Sequence, residues 1–235
     1  MLSLFRIPLT ALPFLAMPAF AAQSGAATGI TGVGPAMFLF ATAAAILLML
    51  LFRSTARHLT RYLTSRIGKV RIRRALHARS PDVLHDFILP GAYGGLAKID
   101  HAIMTAGGIL CIRSVHVNGV VFGGEDEAQW TNVDGAARRR FLNPLIQNEG
   151  RRRALENVVP EAPVVNLVVF TGNVEFPTPP PSNVIHVSQL ESFIARFVFG
   201  PSRIEDWHAV WMSVGSAVLD DEATRRDFSA QIGFG

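Results

Sequence analysis

The stretch KIDHAIMTAGGILCIRSV, at residues 98–115, decides the fold of this chain. Two apolar runs are separated by Gly107-Gly108, and this pattern predicts two strands joined by a tight turn. An acidic residue, Asp100, interrupts the first run, and a basic residue, Arg113, interrupts the second. The stretch therefore predicts a β-hairpin whose polar side chains are candidates for a functional site.

The sequence on both sides of this hairpin predicts further short strands and amphipathic helices. Glycine-punctuated apolar runs predict strands, and longer segments with apolar residues at helical spacing predict helices. The continuous apolar run at residues 163–170 is typical of a strand buried on both faces. The predicted strands are residues 83–89, 97–104, 108–115, 118–122, 163–170 and 183–187, and the predicted helices are residues 143–159, 188–199 and 204–218. This order predicts an α/β (α+β) fold.

Charge is distributed very unevenly along the 235 residues. Residues 1–52 contain one charged side chain, Arg6, and residues 53–79 contain nine basic residues and no acidic one. Residues 80–235 contain 12 basic and 18 acidic residues, so this part is acidic. A nucleic-acid-binding domain usually presents a basic face, so the high overall pI is weak evidence for nucleic acid. The single cysteine, Cys111, is expected to be buried and cannot form an internal disulfide.

The N-terminal third has the pattern of a membrane-attached segment. Residues 36–52 are uncharged and almost wholly apolar, which predicts a short transmembrane helix. Residues 1–22 resemble a signal peptide with an Ala-x-Ala cleavage site, and the alternative is an uncleaved first membrane helix in a hairpin. Residues 23–35 would then form a short extracytoplasmic loop.

The basic run at residues 53–79 predicts a juxtamembrane helix that contacts anionic lipid. By the positive-inside rule this side of the membrane is cytoplasmic. The predicted location is a bacterial-type inner (plasma) membrane, spanned once or by a hairpin, with the C-terminal domain in the cytoplasm. A basic stripe also binds phosphates of other kinds, so a nucleic-acid contact remains an alternative.

Several short motifs between residue 68 and about residue 170 are recognisable together. They are Lys98-Ile99-Asp100-His101, Gly107-Gly108-Ile109, Asn118-Gly119-Val120-Val121 followed by Trp130, and Asn143-Pro144-Leu145-Ile146-Gln147-Asn148. In this order and spacing they resemble the nuclease-related domain, NERD, a branch of the PD-(D/E)xK nuclease-like superfamily. The resemblance implies a restriction-endonuclease-like αβββαβ core, here behind the transmembrane helix. It covers a little under half of the chain.

The resemblance also implies a Mg²⁺ site for phosphodiester cleavage, in which carboxylates hold the metal and a lysine assists the attacking water. Asp100 matches the strand aspartate of the family. The glutamate and lysine positions of the next strand are occupied by Arg113 and Val115, and the helix glutamate falls near Lys69. The site is therefore predicted to be degenerate, with Asp100 paired to Arg113 as a structural ion pair.

Other polar residues are secondary candidates. Asn143-Pro144 predicts a helix N-cap. Gln147 on the first turns of that helix is expected to approach Asp100, where the family resemblance implies a substrate or site-shaping contact. Two arginine triplets flank the start of this helix and are candidates for contacts to phosphate or to a partner: Arg138, Arg139, Arg140, Arg151, Arg152 and Arg153. A displaced metal site would draw on His101, His116 and the acidic run Glu125, Asp126 and Glu127.

These observations predict a membrane-anchored binding or scaffold module with a nuclease-like fold in residues 80–200 and a helical extension in residues 201–235. No cofactor is expected in that case. One alternative is an active Mg²⁺-dependent DNA nuclease with displaced ligands. The other is a protein-interaction subunit of a membrane complex, which the acidic C-terminal part favours. Fold resemblance alone does not decide among these functions.

Overall fold

The computed structural model describes residues 34–233, and the chain divides into two units, residues 1–52 and residues 53–235. Helix α1 (Gly34–His77) begins in the first unit and ends in the second. Several large apolar side chains of the first unit are exposed, including Leu39, Phe40 and Leu50. Among the described helices, none has the length and apolar character needed to cross a membrane. The predictions for residues 1–22, and for all but the last two residues of 23–35, lie outside the described residues.

The second unit contains two β-sheets and four further α-helices in its described part. In chain order the elements after α1 are β1 (Val83–Pro90), β2 (Leu96–Thr105), β3 (Gly108–Val115), β4 (Gly119–Phe122), β5 (Gln129–Asp134), β6 (Ala137–Leu142), α2 (Pro144–Val158), β7 (Val164–Phe170), β8 (Val174–Glu175), β9 (Val184–His186), a 3₁₀ turn (Val187–Gln189), α3 (Leu190–Val198), α4 (Trp207–Ala217) and α5 (Glu222–Gly233). The predicted mixed α+β class is confirmed.

The larger sheet has the strand order β1-β2-β3-β7-β9. Strands β1, β2 and β3 are antiparallel neighbours, whereas β3, β7 and β9 run parallel to one another. The tight turn at Gly107-Gly108 joins β2 to β3, and Gly108 has a φ of +131°, which a side chain would strain. This register places Asp100 and Arg113 one position beyond the last paired residues, His101 and Ile112.

Helices cover both faces of this sheet. On one face Leu155 of α2 and Val214 of α4 pack on the apolar side chains of β1, β2 and β3. On the other face Ile72 and Leu76, near the end of α1, pack beside Leu190 at the start of α3. Ile72 and Leu76 are fully buried, so the last turns of the predicted juxtamembrane helix belong to the folded domain.

The smaller sheet, with the order β6-β5-β4-β8, covers the edge of the core near β7. Trp130 of β5 is fully buried and stacks on Phe170 at the end of β7, with ring centroids 6.2 Å apart. The indole N–H of Trp130 donates to the Gly124 carbonyl at 2.9 Å. The sequence predicted only one of the four strands of this sheet, β4. The other three strands are too polar or too short to be recognised from sequence.

Candidate functional site

The carboxylate of Asp100 is held by Ser114 on the neighbouring strand. The Ser114 backbone N–H donates to Asp100 Oδ2 at 3.0 Å, and the Ser114 hydroxyl donates to the same oxygen at 3.3 Å. The predicted Asp100–Arg113 ion pair is wrong, since no ion pair joins these residues in the described part of the chain. Asp100 and Arg113 do lie opposite each other on β2 and β3, as predicted, but the Asp100 carboxylate is bound by Ser114, the residue after Arg113.

Arg113 instead donates from Nη2 to the side-chain oxygen of Gln147, at 2.5 Å. Its Nε is buried and has no acceptor among the described residues. Burial lowers the pKa of Arg113, the neighbouring charge of Arg151 lowers it further, and Asp100 opposes the shift. Arg113 is thus a partly desolvated cation that lies beside Asp100 without forming an ion pair. Gln147 does reach this side of the sheet, as predicted, but its partner is Arg113.

The two remaining motif positions are also engaged elsewhere. Val115 packs against the core beneath the smaller sheet. Lys69 Nζ lies 3.9 Å from the carboxylate of Asp86. The same carboxylate lies 3.2 Å from Arg73 and 3.8 Å from Lys98. Three cations therefore surround the carboxylate of Asp86. One of them, Lys69, lies where the family resemblance would place a metal-binding glutamate.

Asp86 was not recognised in the sequence. It lies in β1 with a φ of +51°, in the left-handed region that Asp tolerates better than most residues. The sequence signal for Asp86 was a single acidic residue in an otherwise apolar strand, with the basic Lys98 on the strand that pairs with it. All of these ion pairs are at least one-third exposed, so each contributes little to stability.

Helix α2 is fixed to both sheets at its N-terminus. The predicted N-cap is confirmed: the Asn143 side-chain oxygen accepts from the Leu145 N–H at 2.9 Å, and Pro144 occupies the first turn. The Asn143 amide also donates to the carbonyls of Glu125 and Glu127, each at 2.9 Å. Asn148, one residue beyond Gln147, is fully buried and donates to the Cys111 carbonyl at 2.9 Å. These bonds place Gln147 next to β3.

The two arginine triplets have different environments. Arg151 donates to the carbonyls of Lys98 and Gln147, Arg152 pairs with Glu149 and Glu156, and Arg153 pairs with Glu149. These three arginines are used within the domain, which argues against the predicted phosphate contacts. In contrast, Arg138, Arg139 and Arg140 lie exposed on the edge strand β6 and make no side-chain bond with any other described residue.

The candidates for a displaced metal site do not converge. His101 Nδ1 lies 2.8 Å from His85 Nδ1, whereas His116 Nδ1 lies 3.1 Å from the hydroxyl of Thr171. Glu125, Asp126 and Glu127 lie in the loop whose carbonyls bind Asn143. Within residues 34–233, no group of three or more His, Cys, Asp or Glu side chains is arranged to hold a metal ion.

The comparisons agree with the motif resemblance. The family model described as nuclease-related domain, NERD, matches residues 64–171. An uncharacterised protein of Bacillus anthracis is 26% identical over 107 residues, which is 44% of this chain and 50% of that protein. The chain thus spans about half the length of this curated relative. No solved structure matches the chain significantly. Residues 64–171 are therefore similar to the nuclease-related domain, and the match begins inside α1, where the buried residues Ile72 and Leu76 lie.

Proposed function

We propose that this chain, with its nuclease-related domain at residues 64–171, is a membrane-attached binding module whose metal-dependent catalysis has been lost. The observation that carries the proposal is the charge at the motif positions. Two carboxylates of the family motif are replaced by the cations Lys69 and Arg113, and its lysine is replaced by Val115. Asp100 alone remains, and Ser114 holds one of its oxygens.

A single carboxylate next to a buried guanidinium is a poor magnesium site. Mg²⁺ is held by carboxylate, carbonyl and water oxygens in near-octahedral geometry. Arg113 supplies no oxygen, and its positive charge raises the free energy of a dication near Asp100. The partly buried position of Arg113 increases this penalty, because solvent screens the charge less there. The donor set of this chain therefore does not fit the magnesium ion that the family resemblance implies.

The membrane part of the proposal is supported by residues 36–52, which contain no charged residue, and by the basic run that follows them. Large apolar side chains in this stretch are exposed, including Ile46, Leu47 and Phe52. We expect the full chain to sediment with membranes. Recovery of the full chain in the soluble fraction would contradict membrane attachment.

The loss of metal chemistry is tested by calorimetry with Mn²⁺ and Mg²⁺ on the full chain in detergent, together with a DNA cleavage assay. We expect no saturable metal binding and no cleavage. The triple variant Lys69→Glu, Arg113→Glu, Val115→Lys restores the family motif and is expected to gain metal binding. Adding Asp100→Asn to this variant is the matched control and should remove the gain.

The alternative of an active nuclease makes the opposite prediction for the unmodified chain. Metal binding and DNA cleavage that both disappear in the Asp100→Asn variant would overturn the proposal. Because this result concerns the natural sequence, it decides the question even if the triple variant fails to fold. Retention of the native unfolding midpoint in Asp100→Asn would show that the loss is chemical and not structural.

A further inference from the structure

A cavity lies at the carboxyl ends of the parallel strands β3 and β7. Ligands of open α/β sheets bind in crevices outside the carboxyl ends of parallel strands, where connecting loops diverge. Strand β3 ends at Val115 and β7 ends at Phe170, and these two residues are paired in register. The residues that follow both strands therefore meet at one edge of the sheet.

The cavity at this edge has a volume of about 260 Å³. One wall comes from α1 and the others from the loops after β3 and β7; the lining residues are Ile67, Gly68, Arg71, His116, Asn118, Thr171, Gly172 and Asn173. Gly68 allows α1 to approach the sheet closely, because a Cβ at this position would lie 2.6 Å from Thr171 Cβ. None of the lining residues is acidic.

Arg71 supplies the one formal positive charge of the cavity wall. Its neighbours Lys69 and Arg73 pair with Asp86, on the other side of the helix. Arg71 itself is exposed and has no ion pair with any described residue. An unpaired guanidinium in a crevice without carboxylates favours an anionic ligand, which it can bind through two parallel N–H groups.

The neutral side chains of the cavity are suited to the same ligand. The Asn118 side-chain oxygen accepts from the Asn173 N–H at 2.9 Å, so its amide N–H groups are the part left to donate. The carbonyls of Asn118 and Gly172, which would repel an anion, accept from Asn132 at 2.8 Å and from His186 at 3.0 Å. The hydroxyl of Thr171 lies 3.1 Å from the ring nitrogen of His116 and 3.4 Å from the Val115 carbonyl, so its proton is already used within the domain.

We propose that this cavity binds a phosphoryl group, through the Arg71 guanidinium and the Asn118 amide. The phosphoryl group is then a ligand of the binding module proposed above, and this inference rests on that proposed function only for the binding role. None of the four metal-site positions, Lys69, Asp100, Arg113 and Val115, lines this cavity. A failure to bind metal at Asp100 is therefore distinguishable from a failure to bind phosphate at Arg71.

The test is calorimetry with inorganic phosphate on the full chain in detergent, with Arg71→Gln as the main variant. Loss of a charge-assisted hydrogen bond is expected to weaken phosphate binding about tenfold or more. Arg74→Gln is the matched control, because Arg74 is exposed on the same helix and does not line the cavity.

The proposal is overturned if the unmodified chain shows no saturable phosphate binding, or if Arg71→Gln and Arg74→Gln weaken it equally. The source of the phosphoryl group is distinguished by repeating the titration in phosphatidylcholine nanodiscs with and without phosphatidic acid. A weaker apparent affinity for phosphate in the presence of phosphatidic acid, lost in Arg71→Gln, identifies a lipid headgroup. An unchanged affinity identifies a soluble phosphorylated ligand.

Discussion

Acidification should destabilise the domain through a chain of three histidines that joins α1 to the sheet. His77 Nε2, in the last turn of α1, lies 3.1 Å from His85 Nε2, and His85 Nδ1 lies 2.8 Å from His101 Nδ1. His101 is 1% exposed, and its Nε2 has no partner among the described residues. A neutral imidazole offers one donor and one acceptor, so neutral His85 and His101 satisfy both contacts when one ring donates and the other accepts in each.

The magnitude follows from the pKa of His101. Burial, and then the nearby His85, lower this pKa from 6.5 to about 4, against the opposing effects of Asp100 and Asp86. Above pH 6.5 the histidine is neutral in the folded and unfolded chain alike. As the pH falls from about 6.5 to about 4, the unfolded chain binds a proton that the folded chain does not. His101 alone should therefore cost about 3 kcal/mol of the free energy of unfolding across this window.

The measurement is urea unfolding of the full chain in detergent, followed by tryptophan fluorescence at several pH values across this window. His101→Leu is expected to remove about 3 kcal/mol of the pH dependence, whatever it does to stability at neutral pH. His208→Leu, at an exposed histidine of α4, is the matched control. Equal slopes for the unmodified chain and His101→Leu would refute the reasoning.

Two further predictions concern buried polar groups. Asn143→Ala removes the N-cap of α2 and two bonds to loop carbonyls, and should lower the free energy of unfolding by about 3 kcal/mol. The control Asn157→Ala, at an exposed site on the same helix, should change this free energy by less than about 0.5 kcal/mol. Similar losses in both variants would contradict the capping role of Asn143. Burial raises the pKa of the Cys111 thiol to about 12, so we expect a thiol reagent to modify Cys111 only after unfolding; rapid modification of the folded chain would disprove this.

The core of the domain could be predicted because its elements have strong periodic patterns. The apolar runs around Gly107-Gly108 and the buried strand β7 lie within a few residues of their predicted bounds. The β5–β6 hairpin was missed because ARRRFL, the sequence of β6, is polar and lies on an exposed sheet edge. The turn residues Asp134-Gly135 carried the missing signal, since this dipeptide is typical of tight hairpins and Gly135 has a φ of +59°.

The site was harder to predict than the fold, because sequence spacing determines which residues are neighbours but not which of them form hydrogen bonds. Hairpin register placed Asp100 near Arg113, yet the carboxylate is bound by Ser114 and the guanidinium by Gln147. Asp86 could not be identified by spacing from the motif, because its three cationic partners come from two different elements. Long side chains reach several acceptors, so local geometry decides among them.

The altered motif positions form a self-consistent arrangement without metal. Asp100 is hydrogen-bonded to Ser114, Arg113 to Gln147, and Lys69 is paired with Asp86. Restoring only one family residue, as in Arg113→Glu, would place two carboxylates side by side and remove the donor to Gln147. Such a variant should be less stable than the natural chain without Mn²⁺ and regain part of that loss when Mn²⁺ is added, because a bound ion stabilises the folded state. A natural chain stabilised by Mn²⁺ would instead indicate that Asp100 still binds metal.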